Sequence, residues 1–91
     1  MLRLVWSAEA LDDLDTIADY IGEHNPAAAD RLIGRINEVA AHLVKFPKMH
    51  RVGRNTGTRE AIISPNYLLI YRATSTDVEV LSVVHARQKY P

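Results

Sequence analysis

The hydrophobic period of this chain changes once, near Pro47, and that change restricts the fold more than any other feature. Before it, Leu11, Leu14, Ile17, Ala18 and Ile21 recur at spacings of three and four, as do Ala29, Leu32, Ile33, Ile36, Ala40 and Leu43. Such spacing lines one face of an α-helix with apolar side chains. After it, REAII, NYLLIYRAT and DVEVLSVVH are β-type runs, separated by Ser64-Pro65-Asn66 and Ser75-Thr76-Asp77. Their β-branched and aromatic content and the turn residues between them predict three consecutive strands.

Local signals fix the helix ends. LRLVW, residues 2 to 6, reads as a first strand, and Ser7 behind it as a helix N-cap. Glu9, Asp12 and Asp13 follow near the positive end of the helix dipole. Asn25 is placed to cap a second helix with Pro26 at its first position, where a missing N–H costs nothing. Helices are expected near 8–23 and 26–45, and so short a connection makes them an antiparallel hairpin. Short turns make the three later strands an antiparallel meander. The expected fold is α+β: a strand, an antiparallel helix hairpin on one sheet face, then a three-stranded antiparallel meander. Leu14, Ile17, Ile33, Ile36, Leu69 and Val80 are the expected core. The strands are more continuously apolar than a sheet with one wet face requires, so the second face is either partly covered or receives a partner.

At 91 residues the chain is expected to be one domain spanning 1–91, and a small core of this kind gains from a partner. With no cysteine, disulfides and thiolate zinc sites are excluded, which fits a reducing cytosol. The opening MLRLVWSAEALDD has no long apolar run and turns acidic at once, so neither a signal peptide nor a membrane association is expected.

A formal net charge of +0 conceals a polar arrangement. Residues 1–44 carry three Lys/Arg against eight acids, and residues 45–91 carry eight against three. The acids fall largely on the outer side of the first helix, the usual solvated face. The cations concentrate in KFPKMHRVGRNTGTRE, residues 45–60, where Lys45, Lys48, Arg51, Arg54 and Arg59 share a segment with His50 and no acid before Glu60. Lys89 and Arg87 add charge near the C-terminus. A surface that meets polyanions or an acidic protein is the functional reading; solubilising charge and pairing of Arg59 with Glu60 or Glu79 is the plainer one.

Other chemistry is easier to reject. Gly53 and Gly57 lack the strand and GKS/GKT context of a phosphate-binding P-loop. His24, His42, His50 and His85 lie in different elements without metal-ligand spacing, so no metal and no cofactor is expected. Flexible glycines in a cationic loop suit a phosphate backbone, and Tyr90 offers a stacking ring. RNA cleavage would require a base for the ribose hydroxyl, cations for the phosphorane charge and an acid for the leaving oxygen. His85 or His50, Arg59, Arg72, Arg87 and Tyr90 are the residue types for it. His85 reads equally as a half-buried strand-end histidine.

Taken in order, VWSAEALDDLDTIADYI, NPAAADRL, LVKFP, GR, GTRE, YLLIYR and VLSVVHARQKYP resemble the RelE/ParE superfamily of bacterial toxins over essentially the whole chain. The resemblance implies the toxin half of a two-component toxin–antitoxin module, cytoplasmic and neutralised by a cognate antitoxin protein that wraps its surface. It implies either of two targets. RelE-type members cut ribosome-bound mRNA, and by position Arg59, Arg72, Arg87 and Tyr90, with His85 nearby, would be their catalytic set. ParE-type members poison DNA gyrase without a known hydrolytic site, and with either target Lys45, Lys48, His50, Arg51, Arg54 and Lys89 would serve as the nucleic-acid or target-binding surface. Few cations on the central strands, and Glu60 beside Arg59, tilt the reading to the ParE type. A chain that has lost toxicity and only binds its antitoxin is the third alternative.

Overall fold

A computed structural model describes residues 2–87. The elements run β1 (Arg3–Trp6), α1 (Ala8–Gly22), α2 (Pro26–Leu43), β2 (Arg51–Val52), β3 (Arg59–Ser64), β4 (Tyr67–Ala73) and β5 (Asp77–His85). One mixed five-stranded sheet has the order β1-β5-β4-β3-β2. β3, β4 and β5 form the antiparallel meander read from the turns. β1 lies parallel to the first half of β5, with Arg3 opposite Asp77 and Trp6 opposite Val80. The result is the α+β class expected, with one strand more than the sequence disclosed. β2 is two exposed residues pairing Arg51 with Glu60 and Val52 with Arg59.

Both helix caps form as read. Ser7 Oγ accepts from Ala10 N at 3.0 Å and donates to the Leu81 carbonyl at 2.8 Å, so one hydroxyl starts α1 and ties it to β5. Asn25 Oδ1 accepts from Ala28 N at 3.0 Å. α2 ends at Leu43, two residues before the expected Lys45, and a last turn follows in which Lys45 N and Phe46 N both donate to the His42 carbonyl. No described helix is long and apolar enough to cross a membrane.

The helix hairpin buries its stripes against one sheet face. Ile36, Ala40 and Leu43 meet Leu69, Tyr71, Val78 and Val80, all fully buried. Ile17, Ile36, Leu69 and Val80 are core as expected, whereas Leu14 and Ile33 are only half-buried and pack against its margin. A stripe about 100° wide has edges, and both residues sit on them. The surplus of apolar residues on the strands is partly used: Leu68, Ile70 and Val84 form a second small cluster on the opposite sheet face, with Ala86 against it. Ile62, in the same face, stays 54% exposed.

β5 outruns β1 after Val80. There α1 takes over as the neighbour: besides the Ser7–Leu81 bond, the Asp13 carboxylate accepts from Val83 N at 2.8 Å. Asp13, read from sequence only as an acid near the positive end of the helix dipole, thus also caps a strand edge.

Candidate target-binding surface

The segment from Lys45 to Arg59 is held to the sheet by two side chains of the strands. Tyr71, at the centre of β4, is fully buried, and its hydroxyl donates to the Pro47 carbonyl at 2.6 Å. Its ring meets the His50 ring edge-on with centroids 6.1 Å apart. Burial raises the Tyr71 pKa, opposed by the nearby Arg59 charge and the His50 backbone hydrogen bond. Burial also lowers the His50 pKa. Arg59, opposite Tyr71 in the register, reaches back and donates Nη1 hydrogen bonds to the carbonyls of His50 at 2.7 Å and Lys48 at 3.3 Å.

The hairpin beyond is equally fixed. Gly53 N donates to the Thr58 carbonyl at 2.8 Å, and the Thr58 hydroxyl and amide both donate to the Asn55 carbonyl. A Cβ on Gly53 would lie 2.5 Å from Thr58 Oγ1, and Gly57 sits at φ +83°, where residues with a Cβ are strained. These glycines close a tight hairpin instead of loosening a loop, contrary to the flexible phosphate-tracking segment expected.

The cations are therefore not equivalent. Arg51 pairs with Glu60 at 2.7 Å, and Glu60 is only 6% exposed, so this carboxylate is spent on β2 and not on Arg59 beside it. Arg72 pairs with Glu79 at 3.0 Å across β4 and β5. Lys45, Lys48, Arg54 and Arg87 are exposed. Interleaved with them are Phe46 at 52%, Met49 at 63% and Val52 at 70% exposure, unusually open for large apolar side chains. A firm ridge carrying both cations and apolar side chains results.

Of the residues put forward for RNA cleavage, the described Arg59, Arg72 and His85 do not converge. Alternation along a strand sends neighbours to opposite faces. Tyr71 faces the helices, so Arg59 opposite it lies at that face while Arg72, next in the chain, lies on the other. His85 sits opposite Tyr67 with ring centroids 5.3 Å apart, four residues along β4 from the Tyr71–Arg59 row, about 13 Å at strand spacing. There it lines a cleft of about 220 Å³ with Asp13, Thr16, Tyr20 and Tyr67, and its Nδ1 accepts from Arg87 N at 3.2 Å. Lys89 and Tyr90 lie outside the described residues. Among the described residues no three His, Asp or Glu side chains are grouped to hold a metal ion.

Sequence reasoning missed Tyr71, Asp13 and the ridge of Phe46, Met49 and Val52. A tyrosine inside the apolar run YLLIYR was the available signal for the first, because a buried hydroxyl requires a partner. The others depend on which neighbours the fold supplies.

A two-helix hairpin on one face of a mixed five-stranded sheet is a fold shared with solved bacterial toxin structures. The chain superposes on a structure described as a chromosomal ParDE toxin–antitoxin system from P. aeruginosa with TM-score 0.82 over 93% of this chain and 96% of that one, at 20% identity. YafQ from E. coli strain BL21(DE3) follows at TM-score 0.70 and 13% identity, covering 94% of each chain. In sequence it is 40% identical over 90 residues to "Putative toxin Y4kP" of Sinorhizobium fredii, spanning 98% of this chain and 93% of that one. It is 35% identical over 86 residues to "Toxin RelE2" of Caulobacter vibrioides, spanning 94% and 97% respectively. Residues 4–90 match the family described as "ParE toxin of type II toxin-antitoxin system, parDE". The chain belongs to this ParE toxin family, within the RelE/ParE superfamily.

Proposed function

We propose that this toxin arrests growth in the ParE manner, by binding DNA gyrase through a surface, and that it does not cleave mRNA. The dispersal of Arg59, Arg72 and His85 carries this reading. General acid–base cleavage needs its proton carriers and cations within hydrogen-bond reach of one phosphate. Here one arginine lies at each sheet face, and the histidine lies at the other end of the strand. Two of these cations are already engaged, one by backbone carbonyls and one by Glu79. The ridge of Lys45, Phe46, Lys48 and Met49 has instead the mixed cationic and apolar character of a protein-binding surface. Solved relatives include structures described as the E. coli DinJ–YafQ complex and the RelBE2 toxin–antitoxin complex of Mycobacterium tuberculosis. By analogy a cognate antitoxin neutralises this chain, and the exposed ridge and Ile62 are surfaces for it to cover.

The test supplies purified protein to gyrase supercoiling and to ribosome-bound mRNA in parallel. Gyrase inhibition with intact mRNA is expected. Contact energy spread over a surface makes single losses partial, so His85→Ala and Tyr90→Ala should weaken inhibition without ending it. Cleaved mRNA, lost on Tyr90→Ala while ribosome binding survives, would replace this reading with the RelE type. Antitoxin binding without either activity would leave a toxin that has lost its action.

A further inference from the structure

Where β5 runs on past β1, α1 stands beside it, and a cleft of about 220 Å³ opens between the helix and the Tyr67 end of the sheet. Its floor is apolar, made by Ile17 and Val83, both buried. Its walls are aromatic: Tyr20 stands on α1 at 68% exposure, and Tyr67 and His85 meet edge-on on the strands. Thr16 and Asp13 make its polar rim. Of the five acids in α1, Asp13 alone is half-buried, and none of the described ion pairs includes it. Its Oδ2 is used by Val83 N, and Oδ1 keeps its capacity to accept. Asp12 and Asp19, exposed at i−4 and i+3 from Thr16, add negative charge beside the rim. No described lysine or arginine lines the cleft, not even Arg87, two residues beyond His85.

We propose that this cleft receives an arginine side chain of the antitoxin, an inference that rests on the reading that an antitoxin neutralises this chain. A half-buried carboxylate without a cation favours a positive occupant, and an anion would meet Asp13, Asp12 and Asp19 together. The tyrosine walls select the kind of cation. A planar guanidinium stacks on aromatic faces while its fork of N–H groups reaches a carboxylate oxygen at the rim. The volume falls below the roughly 300–1,000 Å³ of small-molecule sites, so the cleft suits one side chain projecting from a polypeptide that lies across it. The cleft is also about 13 Å along β4 from Tyr71, which anchors the ridge. A partner that holds both places gains affinity over a target that uses the ridge alone, because its second contact forms within one complex. A neutralising protein requires that advantage and a target does not, which favours the antitoxin as occupant.

The experiment has two arms, both on the full chain. In the first, NMR follows the ring signals of Tyr20, Tyr67 and His85 as an acetylated, amidated Gly-Arg-Gly peptide is added, with Gly-citrulline-Gly as the neutral isostere. Saturable millimolar binding confined to the cleft is expected for the arginine peptide. Binding should be about tenfold weaker for the citrulline peptide, and for the arginine peptide on Asp13→Asn or Tyr20→Ala. Asp13→Asn keeps an oxygen for Val83 N, so unchanged amide exchange at Val83 shows that the strand cap survives. In the second arm, calorimetry measures binding of the antitoxin encoded beside this chain's gene. Each variant should bind it roughly tenfold less tightly. Replacing one antitoxin arginine by glutamine should cost the same factor against the wild-type chain and nothing further against Tyr20→Ala. Absent shifts with the arginine peptide, or equal binding of the citrulline peptide, would overturn the cationic socket. Antitoxin affinity untouched by both variants, or no arginine coupled to Tyr20, would overturn the occupant. If the adjacent protein does not bind even the wild-type chain, the antitoxin reading falls and the named occupant with it; the peptide arm separates that failure from a failure of the socket.

Discussion

Replacing Tyr71 by Phe isolates the contact that holds the cationic ridge. The ring stays, so the fully buried site keeps its volume and its edge-on contact with His50, and no cavity opens. What is lost is one hydroxyl, which donates to the Pro47 carbonyl at 2.6 Å and interacts with the His50 backbone. A hydrogen bond of this kind contributes about 1–1.5 kcal/mol net, and more where the abandoned partner is sealed from water. Pro47 is half-buried, so water reaches its carbonyl in part and the lower figure applies. For a domain of this size, about 1–1.5 kcal/mol lowers Tm by roughly 5–10 °C. The loss should be larger locally than globally, because the sheet retains its ladder while the ridge loses its anchor. Amide exchange of Met49 and His50 should quicken about tenfold, whereas Leu69 and Val80 change only by the global loss. Toxicity should fall with the loosened ridge. Unchanged Tm together with unchanged exchange at residues 46–50 would show that Tyr71 does not hold the ridge.

Ile36→Asp places an unpaired charge at a fully buried position and should cost about 3–5 kcal/mol, enough to remove the cooperative thermal transition; an unaltered Tm would mean the helix face is wrongly assigned. Burial holds the His50 pKa below the ordinary histidine value of about 6.5 in the folded chain, so the unfolded chain binds the proton more readily; stability present above about pH 6.5 should decline as pH falls from there through the lowered folded-state pKa, and His50→Gln should remove that part of the pH dependence in urea titrations. Asp13→Ala leaves Val83 N without its acceptor and should cost about 1–2 kcal/mol, with faster amide exchange at Val83 as the local readout.

The helix hairpin and the meander were legible because each rests on local rules: stripe spacing, a serine or asparagine cap, and short polar turns. β2 was not, since Arg51 and Val52 are both exposed and show no alternation; only their pairing with Arg59 and Glu60 makes them a strand. The parallel contact of β1 with β5 joins residues about 74 apart and leaves no mark in either segment. At the site, the sequence located the charge but not its use. Arg59 and Glu60 looked like a pair because they are adjacent, yet neighbours on a strand point to opposite faces, and Glu60 meets Arg51 instead. That Arg59 and Arg72 stand on opposite sheet faces was hidden for the related reason that faces follow from register, which no propensity supplies.

The same register bears on mechanism through Arg59. For Nη1 of this guanidinium to stabilise a developing phosphorane charge, it must turn from the His50 and Lys48 carbonyls toward the phosphate, whereas Nε and Nη2 are not held by those carbonyls. Those carbonyls would then need water or another donor, at roughly 1–3 kcal/mol for each one left buried. Transition-state stabilisation by one donor is of the same order, about 3–4 kcal/mol. Catalysis through Nη1 would therefore gain little, because preorganised donors are effective only when no rearrangement accompanies the reaction. As an anchor, the same residue contributes without moving: it fixes the backbone from which Phe46, Lys48 and Met49 project, and it keeps their spacing constant for whatever surface they meet.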